Sequence, residues 1–304
     1  MQSLMKRRVR RFLPVYAMLA VPLLWYAVFR YAPMYGIVIA FKQFSVRKGI
    51  LASPWAQPLT MYFQQFFSSR YALQTITNTL SISMMKLVFG MGGSILLALI
   101  LNECRFKAYK RFVQTVTYLP HFLSWVIIYG IVTLFLAEDS GIVNMCLANF
   151  GIEKMALMSS PRAFRWILVF TDMWKDCGWG AVVYLAAITG IDPALYEAAR
   201  MDGAGRIRQI RHVTLPSISS TIIVMLILRL GSVLNAGFDQ VYIFYNVHVM
   251  DTVDIIDTWV YRTGLENLNF SLAAAVGLFK SVIGTVMIVL SNLLARRWGG
   301  SSLW

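Results

Sequence analysis

The chain has 304 residues, of which 58% are hydrophobic and only 14% are charged. Because soluble domains carry roughly 25% charged residues, too few charges remain to cover a water-soluble globule, and disorder is excluded by the same composition. The net charge of +14 would suggest nucleic acid in a soluble protein, but apolar runs divide the basic residues here, which favours a membrane protein without a nucleic-acid partner.

Six apolar runs are long enough to cross a bilayer as helices, which takes about 20 residues each. A basic segment, residues 1–11, precedes the first run, and no small-residue cleavage site follows it, so we interpret the run as an uncleaved anchor. No run alternates strictly between polar and apolar residues, as a transmembrane strand does. The predicted spans are residues 12–41, 75–102, 112–137, 165–189, 217–236 and 271–295.

The connecting segments predict the orientation. With the amino terminus in the cytoplasm, the inside segments hold more Lys and Arg than the outside ones, and acidic residues gather outside, at 237–270. Segment 42–74 is the exception, because it places four basic residues outside. The inside segments are 1–11, 103–111, 190–216 and 296–304.

The predicted fold class is all-α, a polytopic membrane protein with six transmembrane helices and both termini in the cytoplasm. The predicted organisation is a basic amino-terminal segment at 1–11, a first helix at 12–41, a core domain at 75–296 and a cytoplasmic tail at 297–304.

The cytoplasmic segment between spans four and five predicts a short helix outside the membrane. Asp192 is a good N-cap and Pro193 fits the first helical position. Ala198 and Ala199 form a thin face that another backbone can approach, and Gly203 interrupts the helix. Such a helix suits docking into a partner's groove, and a simple amphipathic connector is the alternative.

An ordered pattern of acidic, small and proline residues runs through this segment. It comprises Glu197, Ala198, Ala199, Asp202, Gly203, Ala204, Val213, Leu215 and Pro216. This pattern resembles the EAA motif of bacterial ABC importer permeases, in which Glu-Ala-Ala precedes Asp-Gly-Ala and a Leu-Pro ending. The resemblance implies that residues 193–212, approximately, form a coupling helix that sits in a cleft of a cytoplasmic ATPase, with the first six residues of the pattern as the coupling residues.

Other short motifs extend the resemblance over nearly the whole chain, to the carbohydrate permeases of MalF and LplB type. The matching segments are 31–36, 40–42, 49–51, 53–55, Leu119-Pro120 and 238–242. One departure is Tyr245-Asn246-Val247-His248, where many relatives carry a Gly-Gly-Pro turn. The resemblance implies a location in a bacterial inner membrane. It also implies a second permease subunit, two ATPase subunits and a solute-binding protein as partners.

Several chemistries find no support in the sequence. The chain has no Gly-x-x-x-x-Gly-Lys-Ser/Thr loop, so ATP and Mg²⁺ are expected on the partner ATPase subunits and no cofactor in this chain. No cluster of histidines, cysteines and carboxylates suggests a metal site. The expected role is that of a membrane subunit without catalytic residues.

Span four carries ionisable residues, which are costly in a bilayer and usually face a cavity or a partner. Asp172, Lys175, Asp176 and Trp179 follow i, i+3, i+4, i+7 spacing and so share one helix face. Carboxylates accept hydrogen bonds from sugar hydroxyls, and an indole covers the apolar face of a sugar ring. In maltose-type relatives the matching positions contact the sugar.

The same likeness adds His121 and Trp125, at the start of span three, and Asn235, near the end of span five, to the substrate pathway. The alternative for span four is that Lys175 pairs with Asp172 or Asp176 to hold the bundle together.

The other charges within the spans leave two interpretations open. Lys86 either snorkels to the interface or is functional, and Arg229 and Lys280 either line a cavity or form structural pairs. Together with the charges of span four, these residues leave a positive surplus, which suggests an acidic sugar such as a uronate oligosaccharide.

The sequence therefore predicts one permease subunit of a binding-protein-dependent ABC importer for oligosaccharides, embedded in membrane lipid and working by alternating access. A permease for another polar solute is an alternative within the family. A secondary transporter, in which Asp172 and Asp176 would relay protons, and a membrane scaffold or receptor without transport are the alternatives outside it.

Overall fold

The computed structural model describes residues 2–299; residue 1 of the predicted amino-terminal segment and residues 300–304 of the predicted tail lie outside the described residues. This part of the chain is built from helices and loops, with an isolated antiparallel bridge between Lys42 and Trp55, so the all-α prediction is confirmed. The helices are α1 Gln2–Tyr26, α2 Gly49–Ala52, α3 Met61–Phe67, α4 Arg70–Glu103, α5 Lys107–Tyr118, α6 Trp125–Leu136, α7 Ile142–Asn149, α8 Pro161–Thr189, α9 Pro193–Met201, α10 Arg206–Gln209, α11 Leu215–Ser217, α12 Ser219–Gly231, α13 Phe238–Phe244, α14 Met250–Val253, α15 Ile256–Tyr261 and α16 Phe270–Gly299.

Length and composition make three helical stretches of the described chain able to cross a membrane alone, namely Phe12–Phe41, Arg70–Glu103 and Phe270–Arg297. Three pairs of helices, each bent by more than 40°, meet the same criterion when taken together. The six spans that the sequence predicts are therefore reached when each bent pair counts as one span.

Contacts divide the chain into two compact units. The first is formed by the residues up to Phe66 and by Thr263–Leu278, and the second by Phe67–Arg262 and the residues from Phe279 onward. All the residues discussed below as a candidate site belong to the second unit.

The first unit contains a long helix that leaves its side chains uncovered. Helix α1 continues without a gap through a π-helical turn at Ala27–Tyr31 and a 3-10 helix at Ala32–Phe41. Every side chain from Phe12 to Tyr35 is exposed, although most are large and apolar. Lipid is the solvent in which such a surface is stable.

Lys42 organises the loop that follows this helix. Its ammonium group donates hydrogen bonds to the carbonyl oxygens of Ile50 (2.8 Å) and Leu51 (3.0 Å), and it lies 4.8 Å from the ring centroid of Trp55. The Ser271 hydroxyl donates to the Lys42 carbonyl at 2.7 Å. One of the four basic residues of segment 42–74 is therefore a buried structural group rather than a free external charge.

Helices α4 and α8 lie against each other along the second unit, and both contribute residues to each of two apolar clusters. One cluster, toward the Arg70 end of α4, is built around Ile82, Phe164 and Phe244. The other, toward the Glu103 end, is built around Tyr184. Because the surrounding lipid is as apolar as these side chains, close van der Waals packing within the two clusters, rather than transfer from water, holds the two helices together at both ends.

The third predicted span, residues 112–137, is wrong as a single straight helix. The stretch Lys107–Phe122 meets α6 at an angle of 106°. Pro120 has no amide hydrogen for the helical ladder, and Ser124 is extended and caps α6 by accepting a hydrogen bond from the Ile127 amide at 3.3 Å. The break therefore has two local causes.

The fifth predicted span, residues 217–236, is also wrong in its bounds. Helix α12 has 13 residues and is bent by 61° from the stretch Arg206–Ser217. After Gly231 the chain turns, and Gly237 adopts a φ of +88°, which an L side chain rarely adopts, before α13 begins. The apolar residues that suggested a longer helix, such as Leu234, are buried in this turn instead.

Candidate functional site

A polar layer crosses the second unit between the two apolar clusters. Lys86 of α4 lies opposite Asp172 and Asp176 of α8, and these residues border a cavity of about 270 Å³. The cavity is lined by Ser83, Lys86, Leu87, Asp172, Asp176, Arg229, Ser232, Val233, Asn235, Ala236 and Gly237. Both carboxylates of the predicted substrate pathway, together with Asn235, thus line one cavity.

Lys86 links three parts of this layer. Its ammonium group donates to the Ala236 carbonyl at 2.8 Å and to the side-chain oxygen of Gln240, and it lies 3.3 Å from the Asp172 carboxylate. The residue is only 7% exposed, so the snorkelling interpretation is wrong. A β-carbon at Gly237 would lie only 2.8 Å from the Lys86 nitrogen, so a side chain at this position would collide with the ammonium group.

Gln240 is a central residue that the sequence analysis did not single out as a site residue. It is fully buried, and its amide group donates to the Leu168 carbonyl at 2.8 Å and to the Thr171 hydroxyl at 2.7 Å. Its oxygen faces Lys86, so α13 is tied to both long helices. An amide between the large apolar residues of a short helix is the signal that indicates such a buried partner.

Asp176 connects the cavity to a pair of stacked rings. The His121 ring nitrogen Nδ1 lies 2.9 Å from the Asp176 carboxylate, and the His121 ring stacks on Trp179 with centroids 4.9 Å apart and planes 3° apart. Trp179 is 52% exposed. The predicted one-face arrangement along α8 therefore joins a carboxylate, an imidazole and an open indole surface.

Lys175 has partners other than those expected. Its ammonium group donates to the carbonyl oxygens of His121 (2.7 Å) and Leu123 (2.6 Å) and lies 5.5 Å from the Trp125 ring centroid. The alternative in which Lys175 pairs with Asp172 or Asp176 is wrong, since those carboxylates contact Lys86 and His121. Lys175 instead satisfies carbonyls that the break in the third span leaves without helical partners.

The other two charges within the predicted spans have different environments. Lys280 of α16 forms an ion pair with Asp257 of α15 and so follows the structural interpretation. Arg229 of α12 lines the cavity. Of the two alternatives left open by the sequence, Lys280 therefore follows structural pairing and Arg229 follows cavity lining.

The coupling segment has the geometry that its residues predict. The Ala194 amide donates to the Asp192 carboxylate at 2.9 Å, so Asp192 caps α9. Gly203, just after the end of α9, adopts a φ of +74°, and α10 begins at Arg206. The predicted coupling segment at 193–212 therefore contains two helices, joined by a turn at Gly203, where the sequence predicts an interruption.

The surface of this segment is open in the described chain. Glu197, Ala198, Asp202 and Gly203 are exposed, and the remaining two predicted coupling residues are half-buried. The segment is tied to α4 by the ion pair of Arg206 with Glu103, and the Tyr196 hydroxyl of α9 lies 3.0 Å from the Thr214 hydroxyl. A partner can therefore contact the motif directly.

The sequence profile of the family described as binding-protein-dependent transport system inner membrane component matches residues 90–300. The chain is 40% identical to the polygalacturonan/rhamnogalacturonan transport system permease protein YteP of Bacillus subtilis (strain 168), over 95% of this chain and 90% of that protein. It is 41% identical to protein LplB of the same strain, over 95% and 91% of the two chains. A solved bacterial ABC transporter involved in the import of the acidic polysaccharide alginate matches with a TM-score of 0.89 and 39% identity, over 97% of this chain and 99% of that chain. The chain therefore belongs to the family of inner membrane components of binding-protein-dependent transport systems.

Proposed function

We propose that the chain is one of two permease subunits of an ATP-driven importer that takes up oligosaccharides by alternating access. The observation that carries the proposal is the polar cavity beside α8, where Asp172 and Asp176 lie next to the stacked rings of His121 and Trp179. Sugar hydroxyls form hydrogen bonds with carboxylates, and the apolar faces of sugar rings pack on indole. The cavity supplies the carboxylates, and the aromatic surface lies next to it, where Asp176 contacts His121 and His121 stacks on Trp179.

The substrate that we propose is an acidic oligosaccharide of the uronate class. The names of two similar proteins support this choice, since one refers to polygalacturonan and rhamnogalacturonan and the other to alginate. The formal charges of the cavity residues balance, since Lys86 and Arg229 stand against Asp172 and Asp176. What supports an acidic sugar there is the guanidinium group of Arg229, because Asp172 lies 3.3 Å from Lys86 and Asp176 lies 2.9 Å from His121.

The expected partners are a second permease, two ATPase subunits that hold the ATP and Mg²⁺, and an external solute-binding protein. The exposed motif on α9 and the following turn supports docking of an ATPase, with Glu197 as the residue that contacts a basic group there. A solved complex of the alginate transporter with an alginate pentasaccharide-bound periplasmic protein supports the binding-protein step. This chain itself then carries no catalytic residue.

The cycle that we propose follows from this arrangement. ATP closes the ATPase pair, the coupling segments move with it, and the helices around the cavity reorient so that the cavity opens outward to the docked binding protein. Both termini and the coupling segment face the cytoplasm, because basic residues concentrate in the segments on that side of the bacterial inner membrane.

The test is uptake by proteoliposomes that contain the whole complex. With the binding protein outside and ATP inside, we expect accumulation of a galacturonate oligosaccharide and much weaker uptake of the neutral sugar obtained by reducing its carboxylates. This chain alone is expected to transport neither. Transport by the chain alone would favour the ion-coupled alternative, and equal uptake of the two sugars would contradict the acidic substrate.

A further inference from the structure

Arg229 reaches the cavity from a helix other than those that carry the other charges. It belongs to the last turn of α12 and lines the cavity. A β-carbon at Gly90 of α4 would lie 3.4 Å from its nitrogen Nη1, and one at Gly180 of α8 would lie 3.8 Å from Nη2. The guanidinium group therefore lies beside both long helices, at positions where neither carries a side chain.

The guanidinium group has no carboxylate partner within the described part of the chain. The two acids at the cavity are engaged elsewhere, since Asp172 lies 3.3 Å from Lys86 and Asp176 lies 2.9 Å from His121. No hydrogen bond from the Arg229 side chain is formed within residues 2–299 either. Arg229 thus borders the cavity, and its five N–H donors have no acceptor among the residues that the structure describes.

An unpaired charge inside a membrane-spanning bundle of helices is costly and usually marks a substrate pathway. A guanidinium group is planar and matches the two oxygens of a carboxylate with two parallel hydrogen bonds, which an ammonium group cannot do. The ligand chemistry that fits the position is therefore a carboxylate that is brought in with the substrate.

We propose that Arg229 binds the carboxylate of an acidic sugar as the sugar crosses the cavity, and that it thereby selects acidic over neutral oligosaccharides. This inference rests on the proposed function and names the residue that recognises the carboxylate of the sugar. The alternative is a structural role, because a cation in the last turn of a helix interacts favourably with the helix dipole. That role would not distinguish between sugars.

The experiment compares the wild-type complex with Arg229→Gln and Arg229→Lys in proteoliposomes that contain all partner subunits. The probes are a galacturonate trisaccharide and its carboxyl-reduced neutral counterpart, each at a concentration below KM. The matched control is Arg297→Gln, which removes an exposed arginine near the carboxy-terminal end of α16, away from the cavity residues.

Loss of a charged hydrogen bond is expected to lower uptake of the acidic sugar at least about tenfold in Arg229→Gln, with a change of less than about twofold for the neutral sugar. Arg229→Lys should recover part of the acidic uptake, and Arg297→Gln should match wild type. Equal losses for both sugars, or unchanged uptake of the acidic sugar, would overturn the proposal.

Two further outcomes are also decisive. If the wild-type complex imports only the acidic sugar, a higher KM for it in Arg229→Gln at similar maximal rate supports the proposal, and an unchanged KM overturns it. If the wild-type complex imports neither sugar, the proposed function fails first and the proposal fails with it.

Discussion

At the scale of single residues, Lys86 shows how one buried charge can position a site. Its ammonium group contacts oxygens from α8, from the turn before α13 and from α13 itself. Because water is scarce around it, each contact stabilises the charge, and the loss of one partner leaves the other charge uncompensated. Lys86 therefore both holds these elements together and lines the cavity.

A prediction follows for the pair of Lys86 and Asp172. Lys86→Met leaves the half-buried Asp172 carboxylate without its cation, and we expect the free energy of unfolding to fall by about 3 kcal/mol. Adding Asp172→Asn removes the stranded charge, so the double variant should be more stable than Lys86→Met alone. The measurement is denaturant unfolding of the purified complex in detergent.

The control for this prediction is an ion pair outside the polar layer. Lys154 and Asp139 form a pair whose side chains are largely exposed, and pairs of that kind contribute little to stability. Lys154→Met should therefore leave the unfolding curve nearly unchanged. A double variant less stable than Lys86→Met would show that Asp172 is not the group that Lys86 compensates.

At the scale of elements, the turn between α9 and α10 sets the direction of the coupling segment. The Ala204 amide returns to the Ala199 carbonyl at 2.9 Å, which closes the turn at Gly203. No atom lies within 4 Å of a β-carbon placed on Gly203, so only the backbone conformation requires glycine there. The shape of the segment therefore depends on one torsion angle.

We predict that Gly203→Val uncouples transport or blocks assembly with the ATPase. A β-branched residue at a φ of +74° is strained by about 1–3 kcal/mol, so the turn should shift and move α9 relative to α10. The measurements are co-purification of the ATPase and ATP-driven sugar uptake. Gly205→Ala is the matched control, because Gly205 has a φ of −68° and nothing within 4 Å of its β-carbon. Normal coupled uptake in Gly203→Val would contradict the role of the turn.

Local signals were sufficient for some breaks between elements and not for others. Asp192-Pro193 and Gly203 specify the start and the end of α9 through capping and backbone preference, both of which operate over a few residues. Pro120 and Ser124 mark the break in the third span locally, but Lys175, more than 50 residues away in the sequence, supplies the hydrogen bonds to the exposed carbonyls. The residues at the break therefore indicate its position but not the helix that stabilises it.

At the scale of the whole chain, composition and periodicity specify the solvent and the helices but not the partners within the site. The spacing along α8 predicts one polar face, because helical geometry fixes it. The residues that lie across from this face are Lys86, Arg229 and Gln240. They belong to three other helices and come close to α8 only when the chain has folded. Pairings of this kind are not encoded in any single segment.

The orientation of the chain is the remaining large-scale prediction, and two exposed positions of the second unit test it. Cys146 lies in α7, which the proposed topology places outside, and Met201, which is 89% exposed, lies at the end of α9, which it places inside. In a variant whose only cysteine is Cys146, a membrane-impermeant maleimide should label intact spheroplasts. In a variant with Met201→Cys as its only cysteine, expressed without the ATPase, labelling should require permeabilisation. The reverse pattern would put the coupling segment on the side where no ATP is available, so docking of an ATPase and the import cycle built on it would both be wrong.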